Sequence, residues 1–178
     1  MTTAMNYSPR SMRETEPPAN SMPGARLTII SGGQTGADRA ALDWAVEKGL
    51  AHGGWCPKDR RAEDGAVPNQ YALRETPTRN YLQRTEWNAR DADGTVVFSL
   101  AAKLTGGSLK TVGFARRHRR PWLHLSAALH GQRAAGMLRE FLREHDICAL
   151  NVAGPRASKE PEIEQFVRSV LDQAIGAA

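Results

Sequence analysis

Ser31-Gly32-Gly33-Gln34-Thr35-Gly36-Ala37-Asp38 joins an apolar run, Leu27-Thr28-Ile29-Ile30, to a helical pattern that starts at Ala37. The order is strand, glycine turn, helix. Gly32, Gly33 and Gly36 let the backbone take positive φ and approach a ligand with no Cβ in the way. The first N–H groups of the following helix lack intrahelical partners, and its dipole adds about half a positive charge there. Phosphate is the ligand type such a turn favours. Two familiar phosphate motifs are excluded. A mononucleotide P-loop ends in Gly-Lys-Ser/Thr, whereas Gly36 is followed by Ala37-Asp38. The dinucleotide spacing G-x-G-x-x-G is also missing, and His52 to Pro57 supplies no acid for a ribose.

A second glycine turn strengthens the anion reading. Thr95-Val96-Val97-Phe98-Ser99-Leu100 has the apolar character of a buried strand, and Thr105-Gly106-Gly107-Ser108 follows it, leading into a helix-compatible run through Thr111 to Ala115. In an open parallel sheet both turns lie at carboxyl ends of strands, where a crevice opens at a topological switch point.

The rest of the chain fits the same scheme. Small and apolar residues at Ala37, Ala40, Ala41, Trp44 and Ala45 predict a helix capped by Gly49, with Trp44 in the core. Gly53 to Pro57 reads as a short strand, and Lys58 to Gly65 as a polar loop in which Arg60 and Arg61 could fork onto an anion, with Glu63 and Asp64 beside them. Asn80 to Asp93 predicts a helix with a polar stripe at Arg84, Asn88 and Asp91. Strands are expected at Pro121 to Leu125 and Ile147 to Val152, and helices at Ala134 to His145 and from Ile163 to Ala174. Arg156 and Ser158 then fall between a strand end and a helix start, which adds them to the ligand candidates. Alternating strands and helices predict an α/β, Rossmann-like doubly wound fold, with a mainly parallel sheet covered by helices on both faces.

Composition sets the outer limits. With 40% hydrophobic and 24% charged residues in 178, the expectation is a single ligand-binding domain over residues 26–178. A disordered tail rich in Pro, Ser and Thr is expected over 1–25. No apolar run approaches the length of a membrane span or a signal peptide, so a cytoplasmic protein without membrane contact is expected. Cys56 and Cys148 lack paired spacing and read as reduced thiols, Cys148 as a core residue. The net charge of +5 raises the question of nucleic acid, but the Arg116-Arg117-His118-Arg119-Arg120 cluster sits at a helix end and has no interleaved aromatics, so nucleic-acid binding is not expected. The five histidines show no metal-ligand spacing, so no protein-held metal is expected.

Together, Ser31 to Asp38, Arg61-Ala62-Glu63-Asp64-Gly65, Arg84-Thr85-Glu86-Trp87-Asn88, Asp91-x-Asp93-Gly94-Thr95, Gly106-Gly107-Ser108, Thr111 and Ala153-Gly154-Pro155-Arg156-x-Ser158 resemble the molybdenum carrier family. That family is similar to the Lonely Guy hydrolases and the DNA-processing protein DprA. Two positions depart from its pattern: Ser108 stands where threonine is usual, and Ala92 where serine is usual. The resemblance implies a homo-oligomer, a dimer or tetramer, that binds the molybdenum cofactor (molybdopterin, a pterin with a terminal phosphate) or a related nucleotide-like phosphate ligand. The candidate binding residues are Ser31, Gly32, Gly33, Gln34, Thr35, Gly36, Arg61, Glu63, Asp64, Arg84, Asn88, Thr105, Gly106, Gly107, Ser108, Thr111, Arg156 and Ser158. Lonely Guy hydrolases carry an acid just after their glycine turn, and Ser108-Leu109-Lys110-Thr111 offers none. A carrier without turnover is therefore expected. The alternatives are a nucleoside 5′-monophosphate phosphoribohydrolase using Glu63 or Asp64, and a nucleotide sensor or nucleic-acid-associated module.

Overall fold

The computed structural model describes residues 27–176. The tail expected over 1–25 lies outside the described residues. The chain runs β1 (Thr28–Ile30), α1 (Ala37–Glu47), β2 (Ala51–Gly53), β3 (Trp55–Cys56), β4 (Arg61–Ala62), β5 (Gly65–Ala66) and β6 (Arg74–Glu75). It continues with α2 (Tyr81–Asp91), β7 (Gly94–Ser99), α3 (Gly106–Arg117), β8 (Trp122–Ser126), α4 (Ala127–His130), α5 (Ala134–Glu144), β9 (Ala149–Ala153) and α6 (Ile163–Ile175).

Five strands form one parallel sheet in the order β2-β1-β9-β7-β8. β9, the last in the chain, lies between β1 and β7. Starting the count at β9 turns this order into 3-2-1-4-5, the doubly wound arrangement with its first strand moved to the end. All six residues of β7 are buried, as a strand covered on both faces requires. Its polar Thr95 is satisfied from the neighbouring strand, where Asn151 Nδ2 donates to Thr95 Oγ1 at 3.1 Å.

The helices divide between the two faces, because right-handed crossovers running in opposite directions from the centre put them there. α1, α5 and α6 share the main core with the strands, through Trp44, Leu138, Phe141, Ile163, Val167 and Leu171. α2 packs on α3. Trp44 is a core residue, 1% exposed, with its indole Nε1 donating to Asp172.

Three local expectations are revised. The strand expected over Gly53–Pro57 is two strands: β2 joins the main sheet, Gly54 (φ 128°) turns the chain, and β3 pairs with β6 in a separate ribbon. A Cβ at Gly54 would lie 2.3 Å from the Ser31 carbonyl, which is why the break falls there. Gly106-Gly107-Ser108 is not a turn but the opening of α3, with Thr105 as its N-cap. Cys148 is exposed rather than in the core. It lies just before β9, where the Asp93 carboxylate takes both its N–H (3.0 Å) and that of Ala149 (2.7 Å), so the backbone is held and the thiol faces out.

Candidate functional site

A crevice of about 290 Å³ opens at the carboxyl ends of β1, β9 and β7. Of the residues singled out in the sequence, Gln34, Arg84, Thr105, Gly107, Ser108, Thr111 and Arg156 line it together. Asp38, Tyr81, Ser99, Lys103, Lys159 and Glu160 join them.

The two glycine-rich stretches differ in what they present. At the start of α1 the amides are already engaged: Gln34 N–H donates to Asp38, Thr35 N–H to its neighbour Gln34, and Gly36 N–H to Glu164. The glycines there serve close packing. A Cβ at Gly33 would come within 2.7 Å of Leu73 and Val67, and one at Gly36 within 2.5 Å of the Pro155 carbonyl, both at positive φ. Ser31 is fully buried, its hydroxyl donating to the Val152 carbonyl.

At α3 the amides are open. Thr105 makes no side-chain cap, and the first N–H closed by the helix is that of Leu109, donating to Thr105 O. The N–H groups of Gly106, Gly107 and Ser108 are thus the orphan donors of a helix N-terminus. A Cβ at Gly107 would meet nothing within 4 Å, so the approach is clear, and Lys159 Nζ lies 3.5 Å from the Cβ position of Gly106. Thr111 turns its hydroxyl back to the Gly107 carbonyl at 3.0 Å.

Beside the α1 turn, Glu63 is the centre of a polar network. It accepts from the Thr35 hydroxyl, from Ser158 N–H (3.2 Å) and from Ser158 Oγ (2.6 Å), with Arg156 Nη1 at 3.5 Å. Its burial alone would push the carboxyl up, but those hydrogen bonds and the Arg156 charge hold it below the ordinary carboxylate range. Asp64 is likewise held low, by its hydrogen bonds from Arg39. Arg61 lies over the Tyr81 ring at 4.9 Å and Arg156 over the same ring at 5.7 Å. Arg60 is used in architecture, donating to the carbonyls of Val67, Pro68, Tyr71 and Leu73. Asn88 is buried and bound to the backbone of Trp55.

The crevice floor carries an ion pair between a buried carboxylate and a half-buried guanidinium. Arg84 Nη1 meets Asp38 Oδ2 at 2.9 Å. Burial pushes the Asp38 carboxyl up while the guanidinium draws it down, with burial the larger influence. A Cβ at Gly32 would sit 1.9 Å from Arg84 Nη1, so the missing side chain makes room for the guanidinium. Lys103, Lys159 and Glu160 were not anticipated from the sequence. The available signal was their place just after β7 and β9, at the carboxyl edge where ligands bind. Glu160 Oε2 also accepts from Leu100 N–H at 2.7 Å, tying the segment after β9 to the one after β7. Among the described residues there is no cluster of metal-ligating side chains.

Comparison with known proteins follows the topology. A solved structure of a putative molybdenum carrier protein from Syntrophus aciditrophicus SB is 46% identical, covers 85% of this chain and 96% of its own, and superposes with a TM-score of 0.82. That agrees with the resemblance read from the spaced motifs. Comparison with curated proteins finds no match. The circularly permutated YpsA SLOG family matches residues 29–175, and a sheet whose central strand comes last is what such a permutation produces. By topology and by sequence, the chain belongs to the circularly permutated YpsA SLOG family.

Proposed function

We propose that this protein is a cytoplasmic carrier for a phosphate-bearing small molecule, and that the cargo is the molybdenum cofactor or a nucleotide-like relative. One observation carries the reading: the open helix N-terminus of α3 lies at the crevice, where Gly107 and Ser108 line it together with Lys103, Arg156 and Lys159. Helix amides and cations converging on one space suit a phosphate dianion. The relative described as a molybdenum carrier supports the same reading.

The cofactor's fit can be tested on the residues present. Its phosphate end suits the α3 end of the crevice, where those amides and ammonium groups would hold it. The volume stands at the lower bound for small-molecule sites, about 300 Å³, which suits a single pterin or nucleotide. The lining offers no thiol or imidazole, so the protein would grip the organic body and not the metal. When bound, the cofactor supplies metal redox chemistry to an acceptor enzyme; this chain's groups bind and shield it. Residues 26–178 form the binding unit, and it works as a homo-oligomer, a dimer or tetramer. The decisive experiment is mass spectrometry, with pterin fluorescence after oxidation, on ligand released from freshly purified protein. A phosphorylated pterin supports the carrier reading, and an unphosphorylated ligand overturns it.

A second reading has its own observation, the Glu160 carboxylate in the crevice wall. A nucleoside monophosphate hydrolase needs a carboxylate near the glycosidic bond. Free base appearing when the protein is incubated with nucleoside monophosphates, and lost in Glu160→Gln, would establish that enzyme instead.

A further inference from the structure

We propose that Gln34 and Arg84 form an acceptor-binding floor in the crevice, which selects ligands carrying an oxo group at the edge far from the phosphate over those carrying an amino group. The inference rests on the phosphate reading above and adds the chemistry of the ligand's other end.

Gln34 is 6% exposed, and its carboxamide is fixed in orientation. Oε1 accepts from Thr35 N–H at 3.1 Å and from Glu63 N–H at 2.9 Å. Exchanging oxygen and nitrogen would set the amide's own hydrogens against two backbone donors, so Nε2 must be the other atom. Nε2 is buried and finds no acceptor among the described residues. Arg84, which lines the same crevice, gives Nη1 to Asp38 and also leaves a buried Nε without an acceptor. Both donors belong to residues that line the same crevice, and neither has an acceptor, so that end of the crevice is where an acceptor would be received.

Charge narrows the class. Asp38 offsets the Arg84 cation and Gln34 is neutral, so the floor suits an uncharged acceptor better than a second phosphate. Topology sets the reach. Gln34 follows β1 and α3 follows β7, and the carboxyl ends of those two strands, with β9 between them, stand about 10 Å apart at roughly 4.8 Å per strand. That matches the reach from a 5′-phosphate to the far edge of a purine base. A ring carbonyl there would accept from both donors. An amino group would present hydrogens to hydrogens where the carbonyl oxygen would have accepted, an arrangement a hydrogen-bonding site rejects strongly.

Calorimetry on the full chain with ribose 5-phosphate, IMP and AMP tests this. IMP and AMP share phosphate and sugar and differ at the oxo or amino edge. IMP is expected to bind at least about 10-fold more tightly than AMP. Gln34→Glu keeps the acceptor for Thr35 and Glu63 and replaces the donor with oxygen, so it should abolish or invert that ratio; a ratio unchanged in the folded variant overturns the assignment. GMP against 2,6-diaminopurine riboside monophosphate repeats the oxo–amino comparison on the unaltered protein, so the test survives a variant that fails to fold. Equal binding within each pair overturns the oxo selection while leaving the phosphate reading intact, provided ribose 5-phosphate binds. If no phosphate compound binds, ribose 5-phosphate included, the phosphate reading itself falls and this inference with it.

Discussion

Asn88 holds Trp55 by both polar groups of its backbone: Oδ1 accepts from Trp55 N–H at 2.7 Å, and Nδ2 donates to Trp55 C=O at 2.9 Å. A helix side chain thus stands in for a neighbouring strand just where Gly54 takes the chain out of the main sheet. Asn88→Ala should cost about 2–4 kcal/mol, since it leaves a peptide N–H and C=O unmet at a largely buried position. Asn88→Asp should cost less, because the acceptor survives. Urea denaturation measures both, and an Asn88→Ala loss below about 1 kcal/mol would show that Trp55 is held by other means.

The glycines of the two stretches should separate in experiment. Gly33 has φ 74° and no room for a Cβ, so Gly33→Val should destabilise the protein by at least about 2 kcal/mol. Gly107 has open space, and Gly107→Val should leave stability within about 0.5 kcal/mol while weakening phosphate binding at least about 10-fold. Thermal melts paired with calorimetry read both effects. Unchanged phosphate affinity in Gly107→Val would place the anion elsewhere.

Acid should loosen the β4–β5 hairpin before it unfolds the sheet. Glu63 and Asp64 both have lowered native values, so the unfolded chain binds their protons first as pH falls. Their contribution is fully present above the ordinary carboxylate range and is lost from about pH 4 downward, through the lowered native values. Hydrogen-exchange protection factors at Glu63 and Ser158 should fall over that window, and Glu63→Gln should flatten the change. Protection factors at these amides that do not vary between pH 6 and pH 3 would remove the hairpin's role as a carboxylate latch.

Assembly and boundaries give a further test. Light scattering should report a dimer or tetramer, not a 19.5 kDa monomer. A chain beginning at Gly24 should melt at the same temperature as the full chain, and its failure to fold would show that earlier residues belong to the binding unit.

The parallel sheet and its helices were legible in the sequence because periodicity and glycine punctuation report local structure directly. Trp44 on its apolar stripe and the β1-turn-α1 junction are examples. The strand order was not legible, since nothing in Ala149–Ala153 says that it inserts between β1 and β7. The crevice was legible in part. Both turns look alike as sequences, yet only the contacts distinguish the engaged amides of Gln34, Thr35 and Gly36 from the open ones of α3. Lys159 and Glu160 escaped notice because their relation to α3 and Leu100 spans some fifty to sixty residues and depends on that strand order.

The central place of β9 also governs how the molecule comes into being. β1 with β2, and β7 with β8, are two ribbons joined, among the described residues, by a strand translated after both. During synthesis each ribbon must wait with one edge uncovered, and an uncovered edge invites pairing with other chains. The joining step is long-range and therefore slow in loop-closure terms. Chaperone dependence and sensitivity to truncation before Ala149 are the expected marks of a protein whose keystone arrives last.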